Sequence, residues 1–95
     1  MILPVSVEAR KGYHIWVKFS DGVEGEVDLS SLRSRGGFFE SWDDRKVFED
    51  ARIDESGDFI WVGNVDLCPE PFYFQLTGVP IEEAEKGSHH QVTHA

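Results

Sequence analysis

Tyr13-His14-Ile15-Trp16-Val17-Lys18-Phe19-Ser20-Asp21-Gly22-Val23-Glu24-Gly25-Glu26-Val27-Asp28-Leu29 is the stretch that decides the fold. Tyr13, Ile15, Val17 and Phe19 share one face of a strand, and His14, Trp16 and Lys18 share the other, because successive side chains of a strand alternate. Val23, Gly25, Val27 and Leu29 continue the apolar pattern against Glu24, Glu26 and Asp28. The loop length sets the register. A two-residue loop would put Phe19 opposite Glu24, a core position against a charge. A loop of Ser20-Asp21-Gly22 instead pairs Phe19 with Val23, Val17 with Gly25, Ile15 with Val27 and Tyr13 with Leu29. On the other face it sets Lys18 beside Glu24, Trp16 beside Glu26 and His14 beside Asp28. Only this register separates core from solvent, with Gly22 in the left-handed position of the bulge.

Outward from the hairpin, Val5, Val7 and Ala9 alternate with Ser6, Glu8 and Arg10 in a preceding strand, turned by Lys11-Gly12. Ser30 to Gly37 reads as a short helical turn and loop. Ser41 is an expected helix N-cap, with Asp43 and Asp44 in the first turn of a two-turn helix carrying Trp42, Val47 and Phe48. Arg52-Ile53-Asp54 and Phe59-Ile60-Trp61-Val62 form a second hairpin around Ser56-Gly57. A two-residue loop there sets Ile53 against Ile60 and Arg52 against Trp61, while a longer loop changes the pairing. Glu70 to Leu76 reads as a terminal helix with Pro71 near its start. The expected fold is α+β: a small antiparallel sheet of about five strands (two hairpins plus an N-terminal strand) with two or three short helices. Residues 1–76 form the domain, and residues 77–95 form a polar, mobile tail in which Pro80 to Gly87 has helical punctuation but only about two turns.

Composition limits function. The 95 residues hold 18 acidic side chains against 9 Lys and Arg, a formal charge of −9, with 40% hydrophobic and 13% aromatic content. That apolar share suits one folded domain rather than a disordered chain. The charge argues against nucleic acid and against anionic membrane surfaces. It is also uneven: residues 1–52 carry 10 acidic and 8 basic side chains, residues 53–95 carry 8 acidic side chains and Lys86 alone. The start lacks the basic and apolar regions of a signal peptide, no apolar run nears the ~20 residues of a membrane span, and Cys68 has no disulfide mate. A reducing cytoplasm is the expected location.

No catalytic constellation, cofactor motif or metal-ligand set stands out. Asp43/Asp44, Glu24/Glu26, Asp54/Asp58 and Asp66/Glu70 each read as helix-start, strand-face, turn or loop charges. Asp54-Glu55-Ser56-Gly57-Asp58 has calcium-loop-like acidic spacing but lacks that loop's length and distal Glu. His89, His90 and His94 lie in the tail. What remains is aromatic: Trp16 falls on the polar face of its strand, and Phe59 and Trp61 face opposite Ile60 and Val62. Either a helix or the C-terminal segment covers that second face, or it is a partner-binding patch rimmed by acids.

Phe19-Ser20-Asp21-Gly22, Val27-Asp28-Leu29, Leu32, Phe38, Phe39, Trp42, Phe48, Ile53-Asp54, Ile60-Trp61, Asp66-Leu67-Cys68-Pro69 and Tyr73 follow in an order that resembles the small bacterial domain-of-unknown-function 2442 family over about residues 5 to 76. The resemblance implies a compact α+β domain with an antiparallel sheet and no established activity. Some relatives carry a following helix-turn-helix domain, and others are encoded beside a second small protein, which implies an antitoxin-like or paired role. Here Val62-Gly63-Asn64 stands where relatives often have a proline after the Trp. The 19 residues after Leu76 are too few for a helix-turn-helix domain.

The leading expectation is a non-enzymatic module that binds a small basic protein through Trp16, Glu24, Glu26, Trp61 and Asp66. The alternative is a small-molecule binder or minimal enzyme using Asp66, Cys68 and Tyr73. A homodimer through the same aromatic face is a third.

Overall fold

A computed structural model describes residues 1–63 and 65–86. The chain is α+β, with two three-stranded antiparallel sheets and several short helices. Strands β1 (Pro4–Ala9), β2 (His14–Phe19) and β3 (Glu24–Asp28) form the first sheet in that order. Helix α1 (Ser30–Arg33), a 3-10 helix (Gly37–Asp43) and α2 (Arg45–Glu49) follow. The second sheet joins β4 (Arg52–Ile53), β5 (Phe59–Trp61) and β6 (Val65–Leu67), and α3 (Glu70–Thr77) leads to a further helical segment over residues 81–86.

The first hairpin has the register its hydrophobic pattern demands: Lys18 pairs with Glu24, Val17 with Gly25, Trp16 with Glu26, Ile15 with Val27 and His14 with Asp28. Phe19 N–H donates to the Val23 carbonyl at 2.8 Å, and Gly22, at φ 94°, donates to the Phe19 carbonyl at 3.0 Å. Ile15, Val17, Phe19, Val27 and Leu29 are buried. β1 departs from the simple alternation. It pairs Ser6 with Lys18 but Pro4 with Phe19, so Val5 is the extra residue of a bulge and stands 52% exposed instead of joining the core. The bulge keeps both Pro4 and Val7 on the inner face, which an unbroken period of two could not do.

The second hairpin repeats the device. Asp54 N–H donates to the Asp58 carbonyl at 3.0 Å and Gly57, at φ 88°, donates to the Asp54 carbonyl at 3.0 Å, so the loop is Glu55-Ser56-Gly57. Ile53 therefore lies opposite Phe59 and Arg52 opposite Ile60, the pairing of the longer loop. A further strand, β6, extends this sheet: Trp61 pairs with Val65, Ile60 with Asp66 and Phe59 with Leu67. The expected single sheet of about five strands is thus two sheets of three. β6 is too short for its alternation to register in the sequence, and it pairs by virtue of the reversal at Gly63, φ 97°.

The helix over Trp42 to Phe48 is broken in two. Ser41 Oγ donates to the Phe38 carbonyl at 3.0 Å inside the 3-10 turn, and the cap of α2 is Asp44, whose carboxylate accepts from Lys46 N–H at 3.0 Å. Asp44 has extended backbone, φ −79° and ψ 108°, so one continuous α-helix cannot run through it.

The core lies between the inner faces of both sheets and the helices. Trp42 centres it, with ring centroids 5.0 Å from Trp61, 5.1 Å from Phe39 and 5.2 Å from Phe48. At the other end Phe19 meets Tyr73 edge-on at 5.1 Å and Phe59 lies 5.2 Å from Phe72. Leu76 of α3 sits against Gly25, where a Cβ would come within 2.6 Å of its Cδ2. The absent side chain is what lets α3 lie on β3. Ile81 is buried in the same core with Ala84 packed against it, and Glu85 accepts from Ile2 N–H. The folded unit therefore runs past the expected boundary at residue 76; the part of the expected tail from residue 87 onward lies outside the described residues.

Candidate functional site

The outer face of the first sheet carries Ser6 and Glu8 of β1, His14, Trp16 and Lys18 of β2, and Glu24, Glu26 and Asp28 of β3. These are the residues left over when the alternating pattern sends its apolar half inward. Among the described residues none of these side chains is buried, and Trp16 is half-buried by its neighbours. The Arg10 guanidinium stands 5.7 Å from the Trp16 ring centroid and also pairs with Glu8. His14 Nδ1 lies 2.8 Å from Glu26 and its Nε2 3.6 Å from Asp28, while Lys18 Nζ lies 3.8 Å from Glu24. Asp28 also accepts from Ser30 N–H and Ser30 Oγ, at 2.9 and 2.6 Å, and these bonds hold its carboxyl below the usual range. The face is an aromatic ring framed by acids, whose own bases are already paired.

Of the five residues expected to bind a partner, the structure gathers Trp16, Glu24 and Glu26 on this face. Trp61 is elsewhere. It is 4% exposed, and its Nε1 donates to the Phe48 carbonyl at 3.0 Å, so the expectation of a surface role is corrected: the ring is a core element. The reason is β5 geometry, in which Phe59 and Trp61 both face the core and only Ile60 turns outward. Asp66 is exposed on β6, in the second sheet.

Asp66 has other company. One carboxylate oxygen each from Asp54, Asp58 and Asp66 lie within 4.8 Å of one another. Asp54 is held by its own turn, accepting from Ser56 and Asp58 N–H at 2.9 and 3.0 Å. Hard oxygens at this spacing suit a divalent cation, although three carboxylates are fewer than the six to eight oxygens calcium takes. Burial, then the charges of Asp66 and Asp54, push the Asp58 carboxyl above its usual 3.8. The native state thus holds that proton more tightly than the unfolded chain. Its contribution is favourable below pH 3.8 and is lost as the pH rises through the elevated value. Asp58→Asn should therefore stabilise the protein at pH 7, within the ~0.2–1 kcal/mol range of exposed charge interactions. The gain should vanish near pH 3, which thermal melts at the two pH values check.

The three residues of the small-molecule alternative engage separate neighbours. The Tyr73 hydroxyl donates to Asp21 at 2.6 Å, across the first hairpin's loop, and burial followed by that carboxylate pushes its pKa up to about 12. The Cys68 side chain is exposed beside a cleft, and Asp66 belongs to the acidic trio. The cleft itself escaped the sequence reading. It encloses about 320 Å³ between β3, α1, the end of β6 and α3, with apolar walls from Leu29, Leu32, Leu67 and Phe72 and polar groups from Arg35 and Gln75. Its walls come from four separated segments, so no local signal could reveal it.

Among the described residues no helix is long and apolar enough to cross a membrane. No curated protein and no solved structure matches the chain. The family model described as "Protein of unknown function (DUF2442)" matches residues 4–78, from the first residue of β1 to the glycine that ends α3. With both sheets, α1, the 3-10 helix, α2 and α3 inside that match, the chain belongs to the DUF2442 family.

Proposed function

We propose that this protein is a non-enzymatic interaction module of the cytoplasm that binds a small basic protein, in the manner of the antitoxin-like half of a pair. The observation that carries the reading is Trp16, half-buried on an uncovered sheet face and framed by Glu8, Glu24, Glu26 and Asp28. A tryptophan already half-buried among its neighbours loses less conformational freedom on binding than a fully exposed one, and the acids around it favour a basic partner and its rate of encounter. The net charge of −9 acts in the same direction at longer range.

Tagged protein from the native host should recover a basic protein, in an amount that falls with added salt. Trp16→Ala should abolish recovery while changing the unfolding free energy by less than ~1 kcal/mol, since its ring leaves no core cavity. Recovery that is unchanged in the variant, or the absence of any basic protein across repeated purifications, would refute the reading. Light scattering on the same samples reports whether the face is instead shared with a second copy.

A further inference from the structure

We propose that the free edge of β3 receives the partner as an added β-strand, an extended segment with Lys or Arg on one face and apolar side chains on the other. The inference rests on the partner-binding reading above and specifies how the partner is held.

The phase of the hairpin places the edge. Phe19 N–H donates to Val23 and Leu29 N–H donates to Tyr13, both at 2.8 Å, so Val23, Gly25, Val27 and Leu29 are the β3-side residues bonded to β2. Glu24, Glu26 and Asp28 then direct their N–H and C=O groups away from β2. Those groups have no backbone or side-chain partner among the described residues. An unpaired row of this kind is a template for another strand.

The chemistry of the two faces selects the occupant. On the outer face the side chains beside the open edge are Glu24, Glu26 and Asp28, all acidic and exposed. Pairing β3 with the β3 of a second copy would bring acids against acids, which disfavours self-association through this edge. A strand with Lys or Arg at alternate positions would meet them with opposite charge. The inner side of the same edge opens on the cleft of about 320 Å³, which touches Val27, Asp28 and Leu29 in succession. A strand presents consecutive residues together only to something lying along its side. The alternate side chains of an added strand would turn towards Leu29, Leu32, Leu67 and Phe72, so they should be apolar.

The test uses the full chain and a synthetic hexapeptide of alternating Lys and Val, followed by amide-resolved NMR titration. The expected result is saturable binding with slowed hydrogen exchange at Glu24, Glu26 and Asp28. A peptide of the same composition in scrambled order should bind at least about tenfold more weakly, and so should one N-methylated on the edge-facing amides. Glu26→Gln should weaken binding about three- to tenfold at low salt and less at high salt. The N-methylated peptide leaves the protein untouched, so its result stands even where a variant folds poorly. Equal binding of ordered, scrambled and N-methylated peptides overturns strand addition but leaves charge-driven docking on the Trp16 face intact. Protection of the three amides without peptide also overturns it, because the edge is then filled by this chain or a second copy. Failure of every basic peptide to bind overturns it as well.

Discussion

Trp61→Ala is expected to lower the unfolding free energy by about 3–5 kcal/mol, the cost of emptying a large aromatic site. The ring is 4% exposed and lies 5.0 Å from Trp42 and 6.2 Å from Phe48, both almost fully buried. Removing it therefore strips contacts from two other large rings, and the indole bond to the Phe48 carbonyl goes with it. Domains of this size have total stabilities of about 5–15 kcal/mol and lose roughly 4–8 °C of Tm per kcal/mol, so the variant should melt at least ~12 °C lower or fail to fold. Trp16→Ala, one sheet away, should barely move the melt. Urea or thermal unfolding of the two variants side by side separates the tryptophan that holds the fold from the one proposed to bind. A small Trp61 effect would mean that the ring is not in the core.

Ile81→Asp should cost about 3 kcal/mol or more at neutral pH, because it places a carboxylate where burial removes water without supplying a partner. Ile81 is 7% exposed, within the same core as Phe72 and Tyr73. The surroundings are already acidic: Glu82 and Glu83 follow it, and Glu85 accepts from Ile2 N–H. The damage should ease as the pH falls and the new carboxyl takes up a proton, which distinguishes it from simple loss of volume. Melts at pH 7 and pH 4 on Ile81→Asp and Ile81→Ala check both parts. If residues 77–86 were a detached tail, neither substitution would matter.

These two residues mark where the amino-acid pattern stops being informative. Tyr13 to Leu29 determined its own hairpin completely, because its inward positions are apolar or glycine, its outward ones are polar apart from Trp16, and one loop length alone keeps charge out of the core. The same stretch determined which side chains, Trp16 and the acids of β3, must lie on the opposite face. The helix expected over Glu70 to Leu76 was legible from its proline start, and α3 runs one residue further, to Thr77, before Gly78 caps it at φ 75°. Three decisions belonged to tertiary structure. Phe59-Ile60-Trp61-Val62 has apolar residues on both faces, so the side that meets Trp42 and Phe48 was settled by what packs there. Val65-Asp66-Leu67 is too short to show a period and became a strand only by pairing with β5. Ile81 lies in a short segment with no clear apolar period, between exposed Val79 and the acids Glu82 and Glu83, and it is buried because the core leaves a place for it. A cleft assembled from β3, α1, β6 and α3 is likewise a property of the folded chain, since its walls are distant in sequence and meet only when the sheets and helices come together.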